Sequence, residues 1–311
     1  MNLLQDLRIR LSAAKNAHEW RAQVVKMQAQ HESLRNFTPG ILDDNIVWVF
    51  GGGRTGSSWM AEMLSEAFDL TLWFEPRIGS LFDPNWIASH HGRSYVFSPK
   101  HEHQWLPAIR EFILRIGTSR FPDARGFVIK ETDGSIAAPL FLKAFPGSKP
   151  VLLVRDPRDV AASWNDAYSD GGWRDRQMSK VSGGNPLKRL GADEHTRKRA
   201  EHYVSALAPA LDAFERYEKQ KSLVTYEELR ANGPEVMERI AADLGLPGDK
   251  ARQTAERHAF EAIPEDQRGA GKFRRKAQPG SWREDLTEEQ VAIVEEIAGP
   301  LMDRLGYERS N

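Results

Sequence analysis

Three stretches of this chain combine cations with glycines or hydroxyls, the side-chain set that holds anionic oxygen. The first is Gly51-Gly52-Gly53-Arg54-Thr55-Gly56-Ser57-Ser58-Trp59, which follows an apolar run over 46–50 and leads into a helical pattern over 60–68. Strand, glycine-rich turn and helix make an anion cradle. Glycines let successive backbone N–H groups turn inward, and the helix N-terminus adds the positive end of its dipole. Ser57 and Ser58 add hydroxyls, and Arg54 adds a planar cationic fork. Gly51 and Gly56 have the spacing of the ATP-binding G-x-x-x-x-G-K-[ST] loop, but its lysine position is Ser57 and the cation stands three residues earlier. That displacement weighs against an NTPase; a glycine-rich turn without a ligand is the bland alternative.

The second stretch is Val151-Leu152-Leu153-Val154-Arg155-Asp156-Pro157-Arg158-Asp159, an apolar strand running into a helix, with Ser163 eight residues after Arg155. Arg155 ends the strand, where open α/β sheets place their ligands, and about two helical turns bring Ser163 to the same side. The alternatives are a salt-bridged cap of Arg155, Asp156, Arg158 and Asp159, or a metal-binding carboxylate at Asp156 such as ATP-hydrolysing folds carry. The third stretch runs Phe273-Arg274-Arg275-Lys276-Ala277-Gln278-Pro279-Gly280-Ser281-Trp282-Arg283. A solvated charge run is its plain explanation. His90-His91 and His101-x-His103 fall in an irregular region where a surface or structural role is expected, and the sequence offers no convincing metal ligand set.

Together these segments resemble the PAPS-dependent sulfotransferases, whose donor is 3′-phosphoadenosine 5′-phosphosulfate (PAPS) and whose product is 3′-phosphoadenosine 5′-phosphate (PAP). Arg54-Thr55-Gly56-Ser57-Ser58-Trp59 is similar to the family's phosphosulfate loop, and Arg155 with Ser163 to its 3′-phosphate motif. Arg275-Lys276-Ala277 through Trp282-Arg283 is similar to the late Arg-Lys-Gly-x-x-Gly-x-Trp-Lys motif, and Thr225-Tyr226-Glu227 to the segment whose Tyr lies near adenine. The resemblance implies that Gly53, Arg54, Thr55, Gly56, Ser57 and Ser58 cradle the phosphosulfate. It implies that Arg155, Ser163, Arg275, Lys276 and Ala277 receive the 3′-phosphate, and that Trp59, Tyr226 and Phe273 flank the adenine. Two departures stand out. Ala277 replaces a glycine whose backbone approaches the phosphate, and a Cβ restricts that approach. The histidine base of the cytosolic branch is absent, since Phe127-Val128-Ile129-Lys130-Glu131-Thr132-Asp133 keeps the family lysine at Lys130 but has no His after it.

Sulfuryl transfer needs an oriented anionic donor, a deprotonated acceptor hydroxyl and neutralisation of the leaving phosphate, and by analogy with phosphoryl transfer it rests on positioning and electrostatics. Arg54 and Lys130 are expected to stabilise the transferring and leaving oxygens, with no metal required. Glu75, in Leu72-Trp73-Phe74-Glu75-Pro76, is the expected general base, since the segment looks like the carbohydrate branch, which places a carboxylate after this strand. Its apolar neighbours Trp73 and Phe74 favour a neutral acid. Glu131 and Asp133 are the reserves, and a structural pairing of Glu75 with Arg77 is the alternative. The acceptor is expected to be a small molecule or carbohydrate, a sugar or aliphatic alcohol favoured and a phenol possible. Trp86, Trp105, Trp164, Tyr168 and Trp173 are candidates for its walls. The rivals are a P-loop kinase using Mg·ATP with Asp156 on the metal, and a non-catalytic nucleotide-binding module.

The elements that must position these residues are legible in the periodicity. Short β-rich runs at 46–50, 70–74, 127–130, 151–154 and 223–225 alternate with helical patterns, which predicts a mainly five-stranded parallel sheet between helices: an α/β three-layer sandwich, P-loop NTPase-like. The clearest helix is 102–116, with Trp105, Leu106, Ile109, Phe112, Ile113 and Ile116 on one face. Residues 1–40 read as a helical arm that docks on the body or joins a homodimer, and 41–311 as the α/β domain. Segments 164–200 and 264–283 read as mobile substrate or donor loops, 169–193 being rich in glycine and charge. The 311 residues carry 43 Lys+Arg against 44 Asp+Glu. That near-neutral balance excludes a general polyanion binder, so no nucleic-acid partner is expected and any basic site is local. The absence of cysteine excludes disulfides, thiol nucleophiles and Cys-ligated zinc. No apolar run reaches membrane-spanning length and the N-terminus lacks a signal peptide's apolar core, so a soluble cytoplasmic protein is expected.

Overall fold

The computed structural model of the protein describes residues 40–82, 99–180, 184–272 and 277–310. The arm expected over 1–40 lies, apart from Gly40, outside the described residues. Five strands, Ile46–Gly51 (β1), Thr71–Phe74 (β2), Phe127–Lys130 (β3), Lys149–Val154 (β4) and Ser222–Thr225 (β5), pair in parallel in the order β2-β3-β1-β4-β5. β1, β3 and β4 are buried along their whole length, which is why they read as unbroken apolar runs rather than as alternation.

Helices cover both faces. In chain order they are Ser57–Phe68 (α1), Glu102–Arg120 (α2), Ala138–Ala144 (α3), Pro157–Tyr168 (α4), Trp173–Met178 (α5), Pro186–Leu190 (α6), Ala192–Arg216 (α7), Tyr226–Ala231 (α8), Gly233–Leu244 (α9), Ala251–Arg257 (α10), Trp282–Asp285 (α11) and Glu288–Leu305 (α12). The period of two sorts β1 between the layers. Val47 and Val49 pack with Met60, Met63 and Leu64 of α1 and Met237 and Ile240 of α9. Trp48 turns to the opposite face, its ring 4.6 Å from that of Phe141 on α3. Each such fully buried large side chain contributes about 1.5–3 kcal/mol.

The chain leaves β1 toward β2 and β3, then returns past β1 to β4 and β5. This reversal opens a crevice at the carboxyl ends of β1 and β4, where ligands of such sheets bind. The turn after β1 and Arg155 after β4 both lie there.

Two expectations need correction. In α2 the buried residues are Trp105, Ile109, Ile113, Leu114 and Gly117, while Phe112 and Ile116 are exposed. The apolar stripe is therefore narrower than the sequence pattern and slants along the i, i+4 row. Segment 169–193, expected as a loop, contains α5 and α6. Asn185 explains α6: its Oδ1 accepts the Leu187 N–H at 2.9 Å, an N-cap ahead of Pro186 at the first helical position, and its Nδ2 donates to Tyr168 O at 2.6 Å and Asp175 Oδ1 at 2.7 Å. Among the described residues no helix is long and apolar enough to cross a membrane.

Candidate active site

The turn after β1 is held open by backbone conformation. Gly56 is left-handed (φ 87°) and caps α1 without a side chain, so no side-chain oxygen covers the first-turn N–H groups. A Cβ there would also meet the Tyr226 ring at 2.7 Å. Arg54 is left-handed as well (φ 69°), a costly state for a large residue unless its surroundings impose it. They do: Arg155 Nη1 donates to Arg54 O at 3.0 Å, and Arg54 Nε donates to Ser163 Oγ at 2.9 Å. The guanidinium from the first anion segment is thus bonded to the hydroxyl of the second, 109 residues away. Thr55 is fully buried and its hydroxyl closes the turn on Gly52 O at 2.8 Å, so its side chain does not line the site as expected.

The segment after β4 caps its helix and also lines the cavity through Arg155 and Ser163. Asp156 accepts from Arg158 N at 2.9 Å and Arg158 Nε at 3.0 Å, and Arg158 reaches Glu295 of α12 at 2.8 Å. The cap alternative holds for these two residues and, more loosely, for Arg155 with Asp159, whose Nη2 and Oδ2 lie 3.8 Å apart, and the Asp156 carboxylate is engaged by its own helix. Arg155 also lies over the Tyr226 ring, 4.1 Å from its centroid. Its Nε is buried with no hydrogen-bond partner among the described residues. Asp159 draws in the late motif, accepting the Gly280 N–H at 2.8 Å and the Trp282 N–H at 3.0 Å. Ala277 takes φ 49°, the left-handed state a glycine would supply, with its carbonyl held by Arg230 Nε at 3.1 Å. The Cβ has not prevented the conformation; it has made it strained. Phe273, Arg275 and Lys276 lie outside the described residues.

The carboxylate side forms at the ends of β2 and β3, whose register sets Phe74 beside Lys130. Lys130 Nζ pairs with Glu75 Oε1, and Thr132 Oγ1 donates to the same oxygen at 3.2 Å. The apolar surround expected for Glu75 is therefore replaced by a cation and a hydroxyl. Arg77, the structural partner in the alternative reading, pairs with Asp133 at 3.3 Å. Burial lowers the Lys130 pKa, opposed by its bond to Glu75. Glu131 sits beneath the site, 1% exposed, accepting the Ile78 N–H at 2.8 Å, and burial pushes its carboxyl up to about 7. Of the two reserves, Asp133 lines the cavity and Glu131 does not.

One cavity of about 430 Å³ joins all three segments. Gly53, Arg54, Gly56, Ser57, Ser58 and Trp59 line it with Arg155, Ser163, Tyr226 and Ala277, and so do Glu75 and Lys130. Four of the five described non-glycine residues with positive φ, namely Arg54, Glu75, Arg77 and Ala277, are on its wall. Strain gathered at one site is characteristic of functional constraint.

Residues 44–306 match the family model for the sulfotransferase domain. The chain belongs to the sulfotransferase family. No curated protein sequence matches it. Among solved structures, a sulfotransferase from Mycobacterium avium aligns with TM-score 0.57 and 18% identity over 96% of this chain and 85% of that one. A mouse sulfotransferase complexed with PAP aligns with TM-score 0.52 and 15% identity over 84% and 85%. Retinol dehydratase in complex with androsterone and inactive cofactor PAP aligns with TM-score 0.50 and 20% identity over 84% and 81%. At these identities the structures show a shared fold.

Several wall residues of this sulfotransferase domain escaped the sequence reading. Phe260 and Ile263 line the cavity along with Trp59, whose Nε1 donates to His258 O at 2.7 Å. Arg174 and Gln177 of α5 were hidden in the segment read as a loop. Of the suggested acceptor aromatics, Trp164 and Trp173 line the cavity, Trp105 and Tyr168 are buried without lining it, and Trp86 is outside the described residues. Asn185-Pro186 was the one local signal that could have revealed order there.

Proposed function

We propose that the chain transfers a sulfuryl group from PAPS to an acceptor hydroxyl, with a sugar or aliphatic alcohol favoured over a phenol. The carrying observation is the direct Arg54–Ser163 bond, with Arg155 on the Arg54 carbonyl, inside a cavity that also holds Glu75 and Lys130. The residues suit the donor. The first turn of α1 has no side-chain cap, and Arg155 Nε is a buried donor without an acceptor. Both await anionic oxygen.

Arg54, Ser57 and Ser58 would hold the phosphosulfate. Arg155 and Ser163, with the Arg275–Ala277 segment of the late motif, would hold the 3′-phosphate, and Trp59, Tyr226 and Phe273 the adenine. Bound there, PAPS supplies the sulfuryl group and a stable phosphate leaving group. Glu75 takes the acceptor proton. Its Oε1 is engaged by Lys130 and Thr132, so Oε2 has the lone pairs left for an incoming hydroxyl. Once Glu75 is protonated, the buried Lys130 ammonium loses its counter-charge and is released to face the negative charge developing on the phosphate. One proton transfer thus prepares the nucleophile and arms the cation.

Thermal unfolding tests this reading. A ligand at about 100 times its Kd adds about 2.7 kcal/mol to the folded state. PAP is expected to raise Tm by several degrees and Mg·ATP to leave it unchanged; the opposite ranking would assign a kinase. Stabilisation by PAP without ³⁵S transfer to any acceptor would make the chain a non-catalytic nucleotide-binding module.

A further inference from the structure

Guanidinium groups from three elements gather around Trp164 of α4, on the cavity wall that α4 and α5 build. Three guanidinium groups surround the Trp164 ring: Arg54 at 6.0 Å, Arg174 at 5.8 Å and Arg199 at 5.4 Å from its centroid. Arg54 belongs to the donor loop. Arg174 lines the cavity, and its guanidinium lies 4.6 Å from the Trp173 centroid. Among the described residues it makes one hydrogen bond, from Nη1 to the neutral Gln177 Oε1 at 2.7 Å. Arg174 Nε and Arg199 Nε are buried with no partner, and among the described residues no carboxylate lies within ion-pair reach of either side chain.

The carboxylates on the cavity wall are committed elsewhere: Glu75 to Lys130 and Asp133 to Arg77, while Glu62 is not free. Burial lowers the Arg199 pKa and repulsion from Arg174 adds to it, against attraction to Tyr168 and Asp133. Guanidinium groups gathered this closely repel one another, and an anion entering the cavity beside Arg174 offsets that repulsion. Arg174 is suited to receive it. The group has five donors in a rigid fork, and the indole beside it fixes its plane.

We propose that the acceptor carries a fixed anionic group, a carboxylate, sulfate or phosphate, which Arg174 receives against Trp173. This rests on the sulfotransferase reading of the same cavity and narrows its acceptor to an anionic alcohol. Gln177 fixes one arm of the fork through Nη1, leaving Nη2 for an oxygen of the entering anion.

Matched pairs of hydroxy acid and primary amide test it: 4-hydroxyphenylacetate, 6-hydroxyhexanoate and p-nitrophenyl glucuronide, each against its own amide, with kcat/KM measured at saturating PAPS and low salt. On any scaffold that is turned over, the acid is expected to be favoured by about tenfold or more, as for a hydrogen bond to a charged group. Added salt shrinks the preference. Arg174→Gln is expected to erase it by raising KM for the acid alone, and Arg174→Lys to keep part of it, with PAP affinity unchanged in both. Equal turnover of acid and amide, preference for the amides, or no turnover of any acid overturns the proposal. So does a loss of PAP affinity in Arg174→Gln matching the loss for the acid, which would give Arg174 to the donor. The wild-type comparison needs no variant to fold. Failure of PAP to stabilise the wild type counts against the donor reading, whereas PAP binding without acid preference counts against this inference alone.

Discussion

Glu75 shares Oε1 between Lys130 and Thr132 and takes φ 44°, so both its backbone and its charge are constrained by neighbours. Glutamine in its place keeps a carbonyl for these donors but cannot accept the acceptor's proton. Glu75→Gln is therefore expected to lower kcat by about 10²–10⁴-fold, with PAP affinity retained. Near-wild-type turnover would remove Glu75 from the chemistry. Ala277 offers a second test at this scale. A left-handed alanine costs about 1–2 kcal/mol, while a glycine adds about 0.5–1 kcal/mol of unfolded-state entropy. Ala277→Gly is expected to raise unfolding stability by up to about 1 kcal/mol in a denaturant titration, with PAP binding equal or tighter.

At the scale of elements, a buried hydroxyl adds to the β1–β3 ladder in tying the donor turn to the carboxylate side. Ser135, in the turn between β3 and α3, accepts the Gly51 N–H at 2.9 Å and contacts Glu131 O at 2.6 Å, tying the end of β1 to the end of β3. It is fully buried. Ser135→Ala strands the Gly51 N–H away from water, and a buried unsatisfied donor costs about 1–3 kcal/mol. Stability is expected to fall by that amount, with weaker PAP binding because the cradle begins at Gly51. Unchanged PAP affinity would mean the turn holds its shape without this tie. The Asp159 bonds to Gly280 and Trp282 act in the same way on the opposite side, bringing the late motif to α4.

Across the whole molecule, two buried groups oppose each other as pH changes. Glu131 has a folded pKa of about 7 against 4.5 unfolded, so between those values the folded state holds the extra proton. Raising the pH through that window strips it at a cost on the order of 3 kcal/mol. His195 is fully buried on α7, its Nδ1 2.8 Å from Asn165 Oδ1, and burial lowers its pKa from 6.5 to about 4. Here the unfolded state holds the extra proton, so stability rises with pH over a nearly coincident window by a similar amount. The two slopes oppose each other in the wild type and separate in variants. Relative to wild type, Glu131→Gln is expected to gain Tm steadily from pH 5 to pH 8, and His195→Gln to gain as pH falls from 7 to 5. Parallel curves for either variant would show that its group does not titrate in this way.

The residues that belong to one local segment were readable from the chain alone. Strand–turn–helix around Arg54 follows from an apolar run, glycines and a helical pattern. The eight-residue step from Arg155 to Ser163 is two turns of one helix, and unbroken apolar strands require a sheet covered on both sides. Contacts between segments were not readable, because helix and strand periods say which face a residue occupies and nothing about what meets it. Glu75 found Lys130 rather than Arg77 only through the β2–β3 register, and Glu131 went under the site because the Ile78 N–H lay there to bind it. Arg174 and Gln177 reached the cavity because Asn185 and Tyr168 pin a charged, glycine-rich stretch against α4. Local propensity determined the elements and the donor motifs; the acceptor wall and the partners of each charge were decided by which elements the tertiary fold packs side by side.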